Sequence, residues 1–133
     1  MTQETATSAD ALVRVENLQV TYDDGGEPVT AIDDVSLQVA RGERVAVIGP
    51  SGSGKTSLIR VLSGLLAPTS GRVSVGPHDL DDGRITREMA RDIGQVFQGF
   101  GLVPQLTAVQ NVLCGRLYEY PKHGAMWRFS ADD

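Results

Sequence analysis

The sequence predicts an α/β fold in which two strands stand ahead of a third strand, a glycine-rich loop and a helix. Three observations carry this prediction. Two stretches, residues 12–22 and 31–39, alternate apolar and polar positions, as half-buried strands do. The run Val45-Ala46-Val47-Ile48 leads into Gly49 without alternating, as expected of a strand covered on both faces. Beyond the loop, Leu58, Val61, Leu62 and Leu65 follow the spacing of one helix face.

In chain order, the polar start "MTQETATSAD" lacks the basic and apolar regions of a secretory signal. Residues 1–11 are expected to be disordered, and residues 12–133 to form one partial domain without a linker-like boundary. The first strand runs over 12–22 and is followed by the turn cluster "DDGGEP". "AIDDVSLQV" is the second strand, with Val35, Leu37 and Val39 on one face, and "ARGE" links it to a third at 44–48. The helix from Lys55 to Leu66 ends at "APTSG", where proline and glycine stop it. "RVSV" at 72–75 reads as a short strand, "ITREMARD" as a helical turn or two, and "IGQVF" at 93–97 as a further strand. A helix over 107–117 starts at Thr107, a good N-cap residue.

Composition bounds the function. With 133 residues the chain has room for one domain. The 41% apolar share is ordinary, and no run approaches the ~18 apolar residues of a membrane span. A net charge of −5 argues against general nucleic-acid binding. The single cysteine, Cys114, excludes a disulfide framework and reads as a small buried hydrophobe. His78 and His123 lie in loop-like sequence without metal-ligand spacing and are expected to be solvated. The chain reads as cytosolic. Lys55 and Lys122 are the only lysines, so one of two sits within the glycine loop.

That loop, Gly49-Pro50-Ser51-Gly52-Ser53-Gly54-Lys55-Thr56, fits the pattern G-x-x-x-x-G-K-[ST] of a phosphate-binding loop. Glycines let successive backbone N–H groups turn toward an anion. The helix that follows aims its unpaired N–H groups and positive dipole end at the same point. In such a loop the lysine, here Lys55, reaches the β- and γ-phosphates, and the hydroxyl of Thr56 is placed for Mg²⁺. A chance match in a chain of this composition is on the order of one percent. The buried strand before the motif and the helix after it lower that further.

Two strands ahead of the loop are unusual for a GTPase or a small kinase, and the arrangement resembles the ATP-binding domain of ABC transporters. In that family an aromatic residue at the end of the first strand stacks on adenine. Tyr22 holds the matching place, 27 positions before Gly49. "IGQVFQGFGLVPQLTAVQNV" resembles the family's Q-loop, in which Gln98 would touch the metal or the attacking water and sense a membrane partner. Gly99 and Gly101 depart from the glutamine and asparagine more usual there, and loosen a segment meant to transmit force. "NVLCGRL" and "MWRFSADD" resemble the phosphonate-importer members. The resemblance implies a nucleotide site built from Tyr22, Gly49, Pro50, Ser51, Gly52, Ser53, Gly54, Lys55, Thr56 and Ser57, with Mg²⁺ at Thr56 and Gln98. It implies ATP and Mg²⁺ as ligands, and a permease docked near Gln98–Val109. Head-to-tail pairing of two copies in the full-length form and a place on the inner face of the cell membrane follow from the same likeness.

The fold expected on this basis is a P-loop NTPase of the ABC type with an N-terminal antiparallel β subdomain, truncated before the signature helical region and Walker B. The LSGGQ signature, the Walker B acids and the switch histidine of the family have no match in the sequence. "LSGL" at 62–65 lies at the far end of the loop's own helix, and "FSADD" reads as the start of a helix that does not continue. Nucleotide binding without appreciable hydrolysis is therefore expected. Two other readings stand beside it, a small P-loop kinase and a catalytically silent module that docks on a permease.

Overall fold

The computed structural model describes residues 11–23, 25–99 and 101–115. Residues 1–10, Lys122, His123 and the stretch "MWRFSADD" lie outside them, whereas Ala11, expected to belong to a disordered start, opens the first strand. Two compact units divide the chain, Met1–Ile85 and Thr86–Asp133.

The first unit is built on a four-stranded sheet in the order β2-β1-β3-β4. Its strands are β1 (Ala11–Tyr22), β2 (Val29–Ala40), β3 (Ser70–Val75) and β4 (His78–Asp79), and every pairing is antiparallel. In β1 the inward positions change phase, from Val15 to Leu18 and Val20, all at most 1% exposed. A bulge makes the change possible. Asn17 takes φ +48° and, facing it on β2, Asp34 takes +49°, and the register shifts between Val15 and Leu18. The Asn17 amide nitrogen Nδ2 donates to Asp34 Oδ1 at 2.8 Å, and the Asn17 N–H donates to Ser36 Oγ at 2.9 Å. Those bonds hold two irregular residues in a conformation that Asn and Asp tolerate better than most. Gly71 completes the bulge. A Cβ at this residue, which lies at φ +95°, would stand 2.5 Å from the Asn17 carbonyl oxygen.

The helix α1 (Lys55–Leu62) buries Leu58 and Val61 alongside Ile32, Val73 and Leu80 of the same unit. Each such side chain withdrawn from water contributes about 1.5–3 kcal/mol. The helix is shorter than expected, because Ser63 turns its hydroxyl onto the Ile59 and Arg60 carbonyls and Gly64 follows at φ +71°.

The expected third strand is not formed. Residues 44–48 have no ladder partner among the described residues, and Val45, Val47 and Ile48 are 57%, 44% and 91% exposed. The run has the composition of a covered strand, but a strand exists only through hydrogen bonds to neighbours. The same holds for 93–97, where no strand forms and Val96 is exposed. His78 is another correction. It pairs with Val75 in β4 and is half-buried, not solvated in a loop.

The second unit contains α2 (Arg87–Asp92) and α3 (Ala108–Cys114). Thr86 caps α2 by accepting from the Met89 N–H, and Thr107 caps α3 with a full capping box. The Thr107 hydroxyl accepts from the Gln110 N–H at 3.3 Å, while Gln110 Oε1 accepts from the Thr107 N–H at 2.8 Å. The expected cap is where the sequence placed it. Cys114 is half-buried within α3.

Candidate nucleotide phosphate site

The glycine loop begins where the exposed run 44–48 ends and is anchored at its other end on β2. Gly54 is the anchor. It takes φ +83°, and a Cβ there would collide with the Ala31 carbonyl oxygen and lie 3.3 Å from Ile32 Cγ1. Any other residue would push the loop off the sheet. Gly52 takes φ +82° in open space, so its need for glycine is conformational alone. Within the loop, Ser53 N–H donates to the Pro50 carbonyl at 3.3 Å.

The first regular bond of α1 runs from Leu58 N–H to the Gly54 carbonyl at 2.9 Å. The N–H groups of Lys55, Thr56 and Ser57 thus lie in the first turn, which has no intrahelical acceptors. Gly54 brings no side chain to cap them. Together with the helix dipole they form a partial positive charge of roughly half a unit. Lys55 adds a full one. Its Nζ donates to the Gly49 carbonyl at 2.9 Å, the Pro50 carbonyl at 2.6 Å and Ser53 Oγ at 3.3 Å. The lysine bends back across its own loop and holds an ammonium at the ring's centre. Thr56 is exposed beside it.

Such a set of donors fits a polyphosphate. Mg²⁺ takes few protein ligands and keeps water and phosphate oxygens, so at this loop it would be held mainly by the phosphates themselves, with the exposed Thr56 hydroxyl beside them. Among the described residues no group of three or more His, Cys, Asp or Glu could hold a metal by itself.

Tyr22 is brought to the loop. It closes β1 opposite Val29, the residue is 38% exposed, and its hydroxyl shares a 3.1 Å hydrogen bond with Ser57 Oγ. Ser57 is 8% exposed. The sequence reading placed both residues in the site but found no link between them, because 35 positions separate them. Gln98 belongs to the second unit and is exposed in a turn with Gly99. The two glycines flanking Phe100 both take left-handed backbone conformations. Gly99 lies at φ +82° and Gly101 at +62°, where a Cβ would press on the Phe97 ring at 3.2 Å.

A residue that sequence reasoning missed organises the segment after that turn. Asn111 Oδ1 accepts from the Val103 N–H at 2.8 Å, while its Nδ2 donates to the carbonyls of Val103, Leu106 and Thr107 at 3.1–3.2 Å. Its only signal in the sequence is a polar residue inside an apolar helical pattern.

Beside the loop lies an open groove of about 480 Å³, lined by the apolar Ile32, Val35, Leu37 and Leu58 and, on the loop side, by Ser53, Gly54 and Lys55.

A phosphonates import ATP-binding protein of Haloarcula marismortui is 43% identical over 113 residues, which cover 80% of this chain and 39% of that protein. The lipoprotein-releasing system ATP-binding protein LolD of Bordetella avium is 42% identical over 81% of this chain and 48% of its own length. A solved dimer of the ATP-binding cassette MJ0796 of Methanocaldococcus jannaschii, bound to ADP and Pi, superposes with a TM-score of 0.70 at 33% identity, over 87% of this chain and 53% of that one. The chain thus spans about half the length of the relatives it matches. The family model described as ABC transporter matches residues 32–132. With that match extending from β2 through the glycine loop and both helices of the second unit, the chain belongs to the ABC transporter ATP-binding family.

Proposed function

We propose that this chain binds ATP with Mg²⁺ at the glycine loop, as the nucleotide-gripping part of an ABC importer ATPase. The observation that supports the reading best is the closed ring in which Lys55 Nζ meets the Gly49 and Pro50 carbonyls and Ser53. In this reading, Gly49 to Thr56 wrap the phosphates, Lys55 neutralises their charge, Thr56 reaches Mg²⁺ and Tyr22 receives the adenine. Bound Mg²⁺ would screen the phosphate oxygens; the remaining grip comes from main-chain N–H groups and Lys55. Charge-assisted hydrogen bonds of this kind contribute roughly 1.5–3 kcal/mol each, so a few together suffice for micromolar binding.

After Gln98 no acidic residue follows an apolar strand run in the sequence, and ATP turnover by this chain is expected to be negligible. Several relatives are named as phosphonate importers, which makes a phosphonate the favoured solute. Gln98 would contact metal or water once a nucleotide is held. Residues Gln98–Val109, with exposed Phe97, Leu102, Val103 and Val109 in and beside them, would meet a permease on the cytoplasmic face of the membrane. Pairing of two copies, as in the MJ0796 dimer, belongs to the longer form of such subunits. No helix among the described residues is long and apolar enough to cross a membrane.

Isothermal calorimetry with Mg-ATP tests the reading. Wild-type protein should bind in the micromolar range, and Lys55→Ala should weaken binding by about a hundredfold or more. Absence of any Mg-dependent heat at millimolar ATP would overturn it. Phosphoryl transfer to a small acceptor would select the kinase reading instead. Recruitment by a permease without turnover would favour the silent docking module.

A further inference from the structure

We propose that the groove beside the glycine loop is a binding site for a single-chain anionic amphiphile, with its alkyl chain along β2 and its phosphate or carboxylate head at Lys55. The proposal goes beyond the nucleotide reading and shares only the loop with it.

The groove has two chemically different sides. Its volume of about 480 Å³ falls within the ~300–1,000 Å³ of small-molecule sites. One wall is β2, where Ile32 is buried while Val35 and Leu37 are half-buried. Leu58 of α1, with Val47 and Ile48 of the run before the loop, adds to this apolar side. Val47 and Ile48 are 44% and 91% exposed, so a ligand lying there removes apolar surface from water. On the other side stand Ser53, Gly54 and Lys55. The Lys55 ammonium makes its three bonds to neutral acceptors, two carbonyls and a hydroxyl. No ion pair or other bond joins it to a carboxylate among the described residues. Asp33, also in the lining, is exposed to water. Charge complementarity therefore selects the occupant. A neutral apolar molecule would leave the ammonium unmatched, and a cation would meet it with like charge. A bare anion would leave the apolar wall wet. An amphiphile with one anionic head and one short alkyl chain satisfies both sides.

The test titrates octyl phosphate, octanol, octyltrimethylammonium and inorganic phosphate into the full chain, without nucleotide and below micelle-forming concentrations. Octyl phosphate should bind about tenfold or more tighter than octanol or inorganic phosphate, and the cationic analogue should not saturate. Shortening the chain from octyl to hexyl should weaken binding about fourfold or more, roughly twofold for each methylene of a partly covered chain. Lys55→Met should bring octyl phosphate down to the level of octanol. Val47→Asn, at an exposed position that leaves the fold intact, should weaken octyl phosphate about threefold or more and leave inorganic phosphate within about twofold. Asp33→Asn should tighten octyl phosphate about twofold by removing a like charge from the lining. Absence of saturable octyl phosphate binding overturns the proposal, as does an affinity within about twofold of octanol. Octyl phosphate affinity that survives Lys55→Met or Val47→Asn unchanged also overturns it. A chain that binds octyl phosphate but not ATP loses the nucleotide reading and keeps this one, and the converse result does the reverse.

Discussion

Two apolar stretches of the first unit, residues 11–22 and 44–48, have the same kind of side chains and opposite fates. In β1, Val15, Leu18 and Val20 are at most 1% exposed, with a paired strand on either side. In the second stretch Val45, Val47 and Ile48 are between 44% and 91% exposed, and no strand forms. Hydrophobicity is not the difference. β1 has two antiparallel neighbours, β2 through a short turn and β3 from far along the chain, whereas 44–48 finds none among the described residues. A strand is a property of its neighbours as much as of itself.

The contrast can be broken or sharpened by substitution, with stability followed by urea titration and far-UV circular dichroism. Leu18→Ala should have the largest effect, a loss of about 2–5 kcal/mol, because it opens a cavity at a fully buried site. Gly71→Ala comes next at about 1–3 kcal/mol, since it imposes a strained φ and presses on the Asn17 carbonyl. In the second unit Thr107→Ala should cost about 1 kcal/mol by removing the α3 cap, visible as lost helical signal. Val47→Ala should be smallest, within about 0.5 kcal/mol, as expected of an exposed side chain. A Val47→Ala loss approaching that of Leu18→Ala would show that 44–48 is covered in solution, and the comparison would fail.

What was legible in the sequence was local. The glycine loop, α1, the Thr107 cap and the alternation of β1 and β2 depend on residues within a few positions of one another, and each appears close to its expected place. The phase change between Val15 and Leu18 was visible as a pattern, but its cause needed Asp34 and Gly71, far along the chain. The two-residue strand β4 was too short to alternate. Residues 44–48 and 93–97 have strand-like composition but form no strand, because composition does not supply the partners a strand needs. In the candidate site, the contiguous residues Gly49 to Thr56 follow from the motif alone. The Tyr22–Ser57 bond does not, because it joins a strand end to a helix start through the fold.

The paired bulge has a consequence for how this sheet tolerates change. Because Asn17 and Asp34 interrupt adjacent strands at the same level, a one-residue deletion in β1 moves only half of the strand out of phase with β2. Residues on one side of the kink would keep their inward faces, and those on the other would turn theirs to water. Length changes here are harmless only when both strands change together, so the kink acts as a checksum on the alignment that carries Tyr22 to the loop.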